Sequence, residues 1–177
     1  MEYTMIEAGH LAGARSNISG LDEYATPTYC TRALMKREQF DGNVWECACG
    51  SGQMVSVIEK YNPCTGTDIL FGVDFLRQDV KVDNIITNPP YKLALQFAIH
   101  GLKLTTKKLA LFLRLNFLEG QGRYNFFINN PPKMVYVFSK RQTLSATGVT
   151  SGGTIAYAWY VWEKGYKGCP CLSWIND

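Results

Sequence analysis

The amino-acid sequence predicts an α/β domain, a layered sheet whose strands are joined by right-handed helical crossovers. Two observations lead there. Short apolar runs such as "NVWECACG" (43–50), "DNIIT" (83–87) and "KLALFLRL" (108–115) alternate with stretches of helical spacing. Continuous hydrophobicity in runs of that length marks strands covered on both faces. Two of the runs also end on residues suited to a sheet rim, Gly50-Ser51-Gly52 and Asn88-Pro89-Pro90-Tyr91.

Taken in order, residues 1–23 lack periodicity and read as a loose lead-in. Thr28 to Phe40 reads as a helix that turns Ala33, Leu34 and Phe40 toward a core. The strand 43–50 follows, then a helix over 52–61 with Met54, Val55, Val57 and Ile58 apolar, barred from continuing by Pro63. "CTGTDI" and "DNIIT" are the next two strands, 92–104 a helix, and 108–115 the strongest strand signal in the chain. A helix over 123–129 leads to the strands "KMVYVFS" (133–139) and "IAYAWYVWE" (155–163). No helix separates these last two, so they are expected to pair antiparallel at an edge.

Bulk properties narrow the function classes. At 177 residues, with 46% hydrophobic and 19% charged residues, the chain is expected to form one globular domain. A net charge of +3 permits a polyanionic partner without requiring one. There is no secretory signal pattern and no apolar run of about eighteen residues, so neither secretion nor membrane spanning is expected, and the expected location is cytoplasmic. The six cysteines include two Cys-x-Cys pairs but no Cys-x-x-Cys, and both histidines are remote from them. Reduced, buried thiols are expected, not a metal site.

The glycine turn and the proline tip are the candidate sites. Gly50 and Gly52 let backbone approach a ligand closely at the carboxyl end of a strand, where open α/β sheets bind ligands. Val55 stands where a dinucleotide fingerprint needs its third glycine, and no Gly-Lys-Ser/Thr follows for a phosphate loop. Asp68, sixteen residues past Gly52 at the end of the next strand, can accept both hydroxyls of a ribose. A nucleoside cofactor fits this pattern. At the second tip the Asn88 side-chain oxygen and the Pro89 carbonyl are two acceptors held rigidly by proline, and Tyr91 offers a flat face. Together they suit a planar –NH2 group.

"ECACGSG" followed by "NPPY" resembles the S-adenosylmethionine-dependent amino methyltransferases, especially the N6-adenine DNA methyltransferases. The resemblance spans residues 24–163 and takes in "YATPTYCTRAL" (24–34) and "GVDFL" (72–76); the aromatic "AYAWYVWE" is most similar to small phage-borne members. It implies a Rossmann-like class I methyltransferase fold: a seven-stranded, mostly parallel sheet with an antiparallel edge strand. It further implies that Thr26, Pro27, Glu46, Cys47, Ala48, Gly50, Gly52, Asp68, Ile69, Asp74 and Phe75 contact S-adenosyl-L-methionine, with the Phe75 ring on the cofactor adenine. Asn88, Pro89, Pro90 and Tyr91 would hold the target amine, Tyr91 by stacking on the extruded base. The implied partner is DNA, with RNA adenine and the release-factor glutamine amide as alternatives. A cofactor-binding scaffold subunit without activity is the remaining reading, and the intact Asn-Pro-Pro-Tyr opposes it.

The second aromatic that usually covers the base is missing. Leu144 stands in its neighbourhood, and Phe138 or the 148–153 loop are the substitutes. At this length a separate target-recognition domain is not expected. DNA contacts are therefore expected from the loops 116–125, with Arg123, and 139–153, with Lys140 and Arg141, or from a partner subunit or homodimer.

Overall fold

The computed structural model describes residues 25–142 and 155–177. They form a seven-stranded sheet between two helical layers. The elements in chain order are α1 (Thr28–Arg37), β1 (Val44–Glu46), α2 (Gln53–Ile58), β2 (Cys64–Gly66), β3 (Val82–Thr87), α3 (Ala94–Leu104), β4 (Thr105–Arg114), α4 (Gln121–Asn129), β5 (Met134–Phe138), β6 (Tyr157–Glu163) and β7 (Cys171–Ile175). Two 3-10 turns follow β2, and one follows each of β3 and β4.

The strand order is β2-β1-β3-β4-β6-β5-β7. The first four are mutually parallel, and β6 runs against both β4 and β5. The expected antiparallel pairing of β5 with β6 is therefore present, one strand in from the edge. The edge itself is β7, paired parallel to β5. The periodicity analysis did not foresee β7, because its apolar pattern is inverted: Leu172 and Trp174 face solvent and Ile175 alone is buried.

Period-two alternation splits the core into two layers. Ile86, Ala110, Phe112, Tyr157 and Trp159 face α1 and α2, meeting Cys30, Leu34, Met54 and Ile58. Ile85, Leu109, Leu111, Leu113, Tyr160 and Trp162 face the other way, toward Phe97, Leu104 and Phe126 of α3 and α4. Buried indoles find acceptors: Trp159 Nε1 donates to the Cys30 carbonyl and Trp162 Nε1 to that of Asn130, each at 2.9 Å. The parallel strands all point their carboxyl ends to one rim, which collects Glu46, Gly66, Thr87 and Arg114, with the start of β6 beside them.

Candidate functional site

At that rim β1 gives way to a turn that only glycine can make. Gly50 and Gly52 take left-handed φ values of 48° and 80°, which cost an L side chain strain. Gly52 is the residue from which α2 starts. The turn is pinned from across the sheet by Asp68. One carboxylate oxygen accepts the Gly50 N–H at 2.8 Å, and the other the Leu70 N–H at 2.9 Å. Asp68 is thus 7% exposed and staples the glycine turn to the segment after β2.

The proline tip lies against the same turn. Asn88 and Gly50 line one small pocket, together with Thr26, Glu46, Gln53 and Met54. Pro89 and Pro90, two and three residues past Thr87, bar β3 from continuing, and Leu93 N–H returns to the Pro90 carbonyl at 2.8 Å, closing the tip as a rigid turn. Asn88 Nδ2 donates to Thr26 Oγ1 at 2.9 Å, which fixes the orientation of the carboxamide. Thr26 in turn precedes Pro27, the residue that caps α1.

Glu46 is the charged group with most at stake. It is 1% exposed, and burial raises its pKa to about 8, although Oε1 accepts the Ala48 N–H at 3.1 Å. At neutral pH it is a protonated acid on the pocket wall. Cys47 and Cys49 flank it, and burial pushes their thiols up too, Cys49 to about 12, so both stay protonated and inert. Among the described residues no cluster of His, Cys, Asp or Glu could hold a metal ion.

The remaining expected site residues divide. Ile69 is 57% exposed beside Asp68. Ala48 lines the pocket, whereas Cys47 packs its side chain into the core. Asp74 caps a 3-10 turn by accepting the Leu76 N–H at 3.0 Å. Phe75 departs from expectation. It is 2% exposed, with its ring against Trp45 (5.4 Å), Phe97 (4.8 Å) and His100 (5.1 Å). A ring with that much apolar surface is more stable in the core than on a wet pocket wall, so it offers a ligand no face.

On the substrate side three expected residues have partners within the fold. Arg123 is held by the turn after β4. Its Nε donates to the Phe117 carbonyl at 2.8 Å, its terminal nitrogen reaches the Asn116 carbonyl at 3.2 Å and the Glu119 carbonyl, and the guanidinium lies 5.2 Å over the Phe117 ring. It clamps the turn after β4 through these carbonyls, that of Asn116 also accepting the Glu119 N–H at 3.2 Å. Phe138 is buried against Phe112 and cannot cover a base. Tyr91 is not a bare platform: the Arg114 guanidinium sits 4.7 Å over its ring and Tyr157 lies 6.0 Å away at a 40° tilt. Burial raises the Tyr91 hydroxyl pKa, keeping it a phenol. Lys140 and Arg141 are exposed beyond β5, at the same rim. Leu144 and the 148–153 loop lie outside the described residues.

Sequence reasoning passed over Gln53, Met54 and Arg114. The first two follow directly from the glycine turn. Arg114 was legible as a lone charge at the carboxyl end of the most apolar strand.

No protein-family model matches the sequence, and no curated protein matches it significantly. Solved structures do share its fold. A type I restriction-modification methyltransferase subunit from Streptococcus thermophilus superposes with TM-score 0.59 at 14% identity, over 82% of this chain and 46% of that one. A protein from Listeria monocytogenes assigned to the class I S-adenosylmethionine-dependent methyltransferases gives 0.62 at 13%, over 94% and 70%. One from Pyrococcus horikoshii assigned as an RNA methyltransferase gives 0.53 at 13%, over 89% and 94%. The chain spans about half the length of the restriction-modification subunits it matches, 46% and 47% of two of them. At these identities the likeness is one of fold, and the fold is the Rossmann-like class I methyltransferase fold.

Proposed function

We propose that this chain transfers a methyl group from S-adenosylmethionine to the N6 amino group of adenine in DNA. The observation that carries the reading is the single pocket lined by the Gly50 turn and by Asn88, with Thr26 hydrogen-bonded to Asn88. Direct transfer needs the donor and the amine in one cavity, and the shared lining of Gly50 and Asn88 supports that reading.

The pocket fits the cofactor in chemical kind. Gly50 and Gly52 give close backbone approach, and Glu46 is a buried acid that can exchange its proton for the ammonium of a methionine moiety. Exposed Ile69 can cover one face of an adenine, and Asp68 has carboxylate lone pairs left beyond its two backbone bonds. When bound, S-adenosylmethionine supplies an electrophilic methyl on a sulfonium.

The protein's own work falls on the nucleophile. The N6 lone pair of adenine is delocalised into the ring, so the free amine is a poor nucleophile. Hydrogen bonds from its two N–H groups to the Asn88 oxygen and the Pro89 carbonyl favour a pyramidal nitrogen with a localised lone pair. Preorganised acceptors of this kind are worth about 3 kcal/mol each. The proline turn holds them without reorganisation, and orientation in the pocket supplies the rest. A base within duplex DNA reaches such a pocket by leaving the stack.

The test is incubation with labelled S-adenosylmethionine and duplex DNA, total RNA or a release factor. Label in DNA is expected. Label in RNA or protein alone would replace DNA as the substrate, and label nowhere would leave a cofactor-binding scaffold.

A further inference from the structure

We propose that Arg114 is a specificity residue whose guanidinium hydrogen-bonds an acceptor on the target nucleotide, a ring nitrogen or a phosphate oxygen. The inference rests on the methyltransferase reading above and deepens it.

Arg114 is the last residue of β4, and its position is fixed from several sides. It pairs with Tyr157 in the β4–β6 register, and its carbonyl accepts the Tyr160 hydroxyl at 3.2 Å. The next residue, Leu115, donates its N–H to the Ala156 carbonyl at 2.8 Å. The side chain leaves the sheet on the face that carries Phe112 and Tyr157, whose rings stack at 5.2 Å and 8°, and crosses Tyr91. Tyr91 belongs to the tip that carries Asn88.

What such a well-placed cation does there is left open by the protein itself. Among the described residues its guanidinium makes neither a salt bridge nor a hydrogen bond, and Nε is shielded from solvent without an acceptor. Every other arginine or lysine whose role in the fold is evident here behaves differently. Arg32 and Lys36 hold Asp177, Lys108 and Lys133 hold Glu38 and Glu163, and Arg123 is spent on carbonyls. A buried donor of a charged group is rarely left unmatched without a functional reason. The side chain rests on the Tyr91 ring, while its N–H donors, among the described residues, are left without acceptors.

The chain on both sides of the Arg114–Tyr157 pair borders open space. Leu115, Asn116, Leu118 and Glu119 after β4, with Ile155 and Ala156 before β6, line an open pocket on either side of the Arg114–Tyr157 pair. Arg114 thus touches the amine-holding tip through Tyr91 and adjoins this pocket's lining through Leu115. In adenine both ring nitrogens flanking N6 are acceptors, and the 5′ and 3′ phosphates carry further ones. A planar fork of donors resting on an aromatic ring can engage either.

The experiment compares wild type, Arg114→Met and Arg114→Lys on a duplex whose methylated adenine has first been located with the wild-type protein. Arg114→Met keeps the apolar stem over Tyr91, so folding is checked by melting and the cofactor site by calorimetric affinity for S-adenosylmethionine. The expected result is a fall of about 10- to 100-fold in kcat/KM for DNA, as for loss of a hydrogen bond to a charged group, with cofactor affinity within twofold. Duplexes with 1-deazaadenine, 7-deazaadenine or neighbouring methylphosphonates then identify the acceptor. The right analogue slows wild type but not Arg114→Met any further, and Arg114→Lys recovers activity only where the acceptor is a phosphate. Unchanged kcat/KM in Arg114→Met, or a parallel loss of cofactor affinity, overturns the assignment while leaving the function intact. A wild-type chain inert on DNA overturns both. If Arg114→Met fails to fold, the analogue series on Arg114→Lys decides: equal penalties in both proteins refute the proposal.

Discussion

A buried acid couples folding to protons, and Glu46 makes that coupling measurable. Burial pushes its pKa up to about 8 in the folded protein, against 4.5 for a glutamate in the unfolded chain. Below pH 4.5 both states hold the proton and the fold bears no penalty from this group. Between 4.5 and 8 the unfolded chain has released it while the folded protein has not, so stability falls as pH rises through the window. Each pH unit is worth about 1.4 kcal/mol, giving a loss on the order of 3–5 kcal/mol across it. Glu46→Gln removes the titration and keeps an oxygen for the Ala48 N–H. Urea unfolding of both proteins from pH 5 to pH 8.5 should show the variant gaining stability relative to wild type by that amount. Other titrating groups are common to the two and largely cancel. A difference that stays constant with pH would refute the burial argument.

The same proton bears on ligand binding. If an ammonium group displaces it, wild-type affinity for S-adenosylmethionine should rise toward pH 8 and calorimetry should register proton release, both absent in Glu46→Gln. Asn88→Ala should lower kcat by about 100-fold or more with cofactor affinity nearly intact, since it removes one preorganised acceptor; equal loss of both would place Asn88 in the cofactor site. Thr26→Val, which removes the partner that orients Asn88, should cost kcat about fivefold to tenfold. Arg123→Ala should destabilise the fold by about 1–3 kcal/mol and leave the salt dependence of DNA binding unchanged, because its donors are spent on carbonyls. A shallower salt slope would return Arg123 to the phosphate contacts.

The fold was legible where burial and chain chemistry agree. Strands β1, β3 and β4 are covered on both sides, so their apolar runs are continuous, and glycine or proline marks where each of the first two stops. β7 was hidden because Leu172 and Trp174 point outward, and one buried isoleucine gives no period to detect. The pocket was legible because the Gly50 turn and the Asn88 tip end neighbouring strands of one parallel sheet, β1 and β3. Phe75 was misjudged because an aromatic beside an acid looks the same in sequence whether its ring faces a ligand or Trp45. The contacts of Arg123 were hidden for a related reason: the carbonyls it serves belong to a turn whose geometry no spacing rule reveals. Arg114 needed the antiparallel pairing of β6, a long-range contact, to bring Tyr157 beside it and show what its guanidinium lacks.

The most direct measurement is the identity of the methylated nucleoside. Duplex DNA treated with the protein and labelled S-adenosylmethionine is digested and resolved by mass. N6-methyldeoxyadenosine, present with wild type and lost with Asn88→Ala, is the result that follows from an amine held at the Asn88 tip. Methyl on another nucleoside, or N6-methyldeoxyadenosine undiminished in Asn88→Ala, would contradict it.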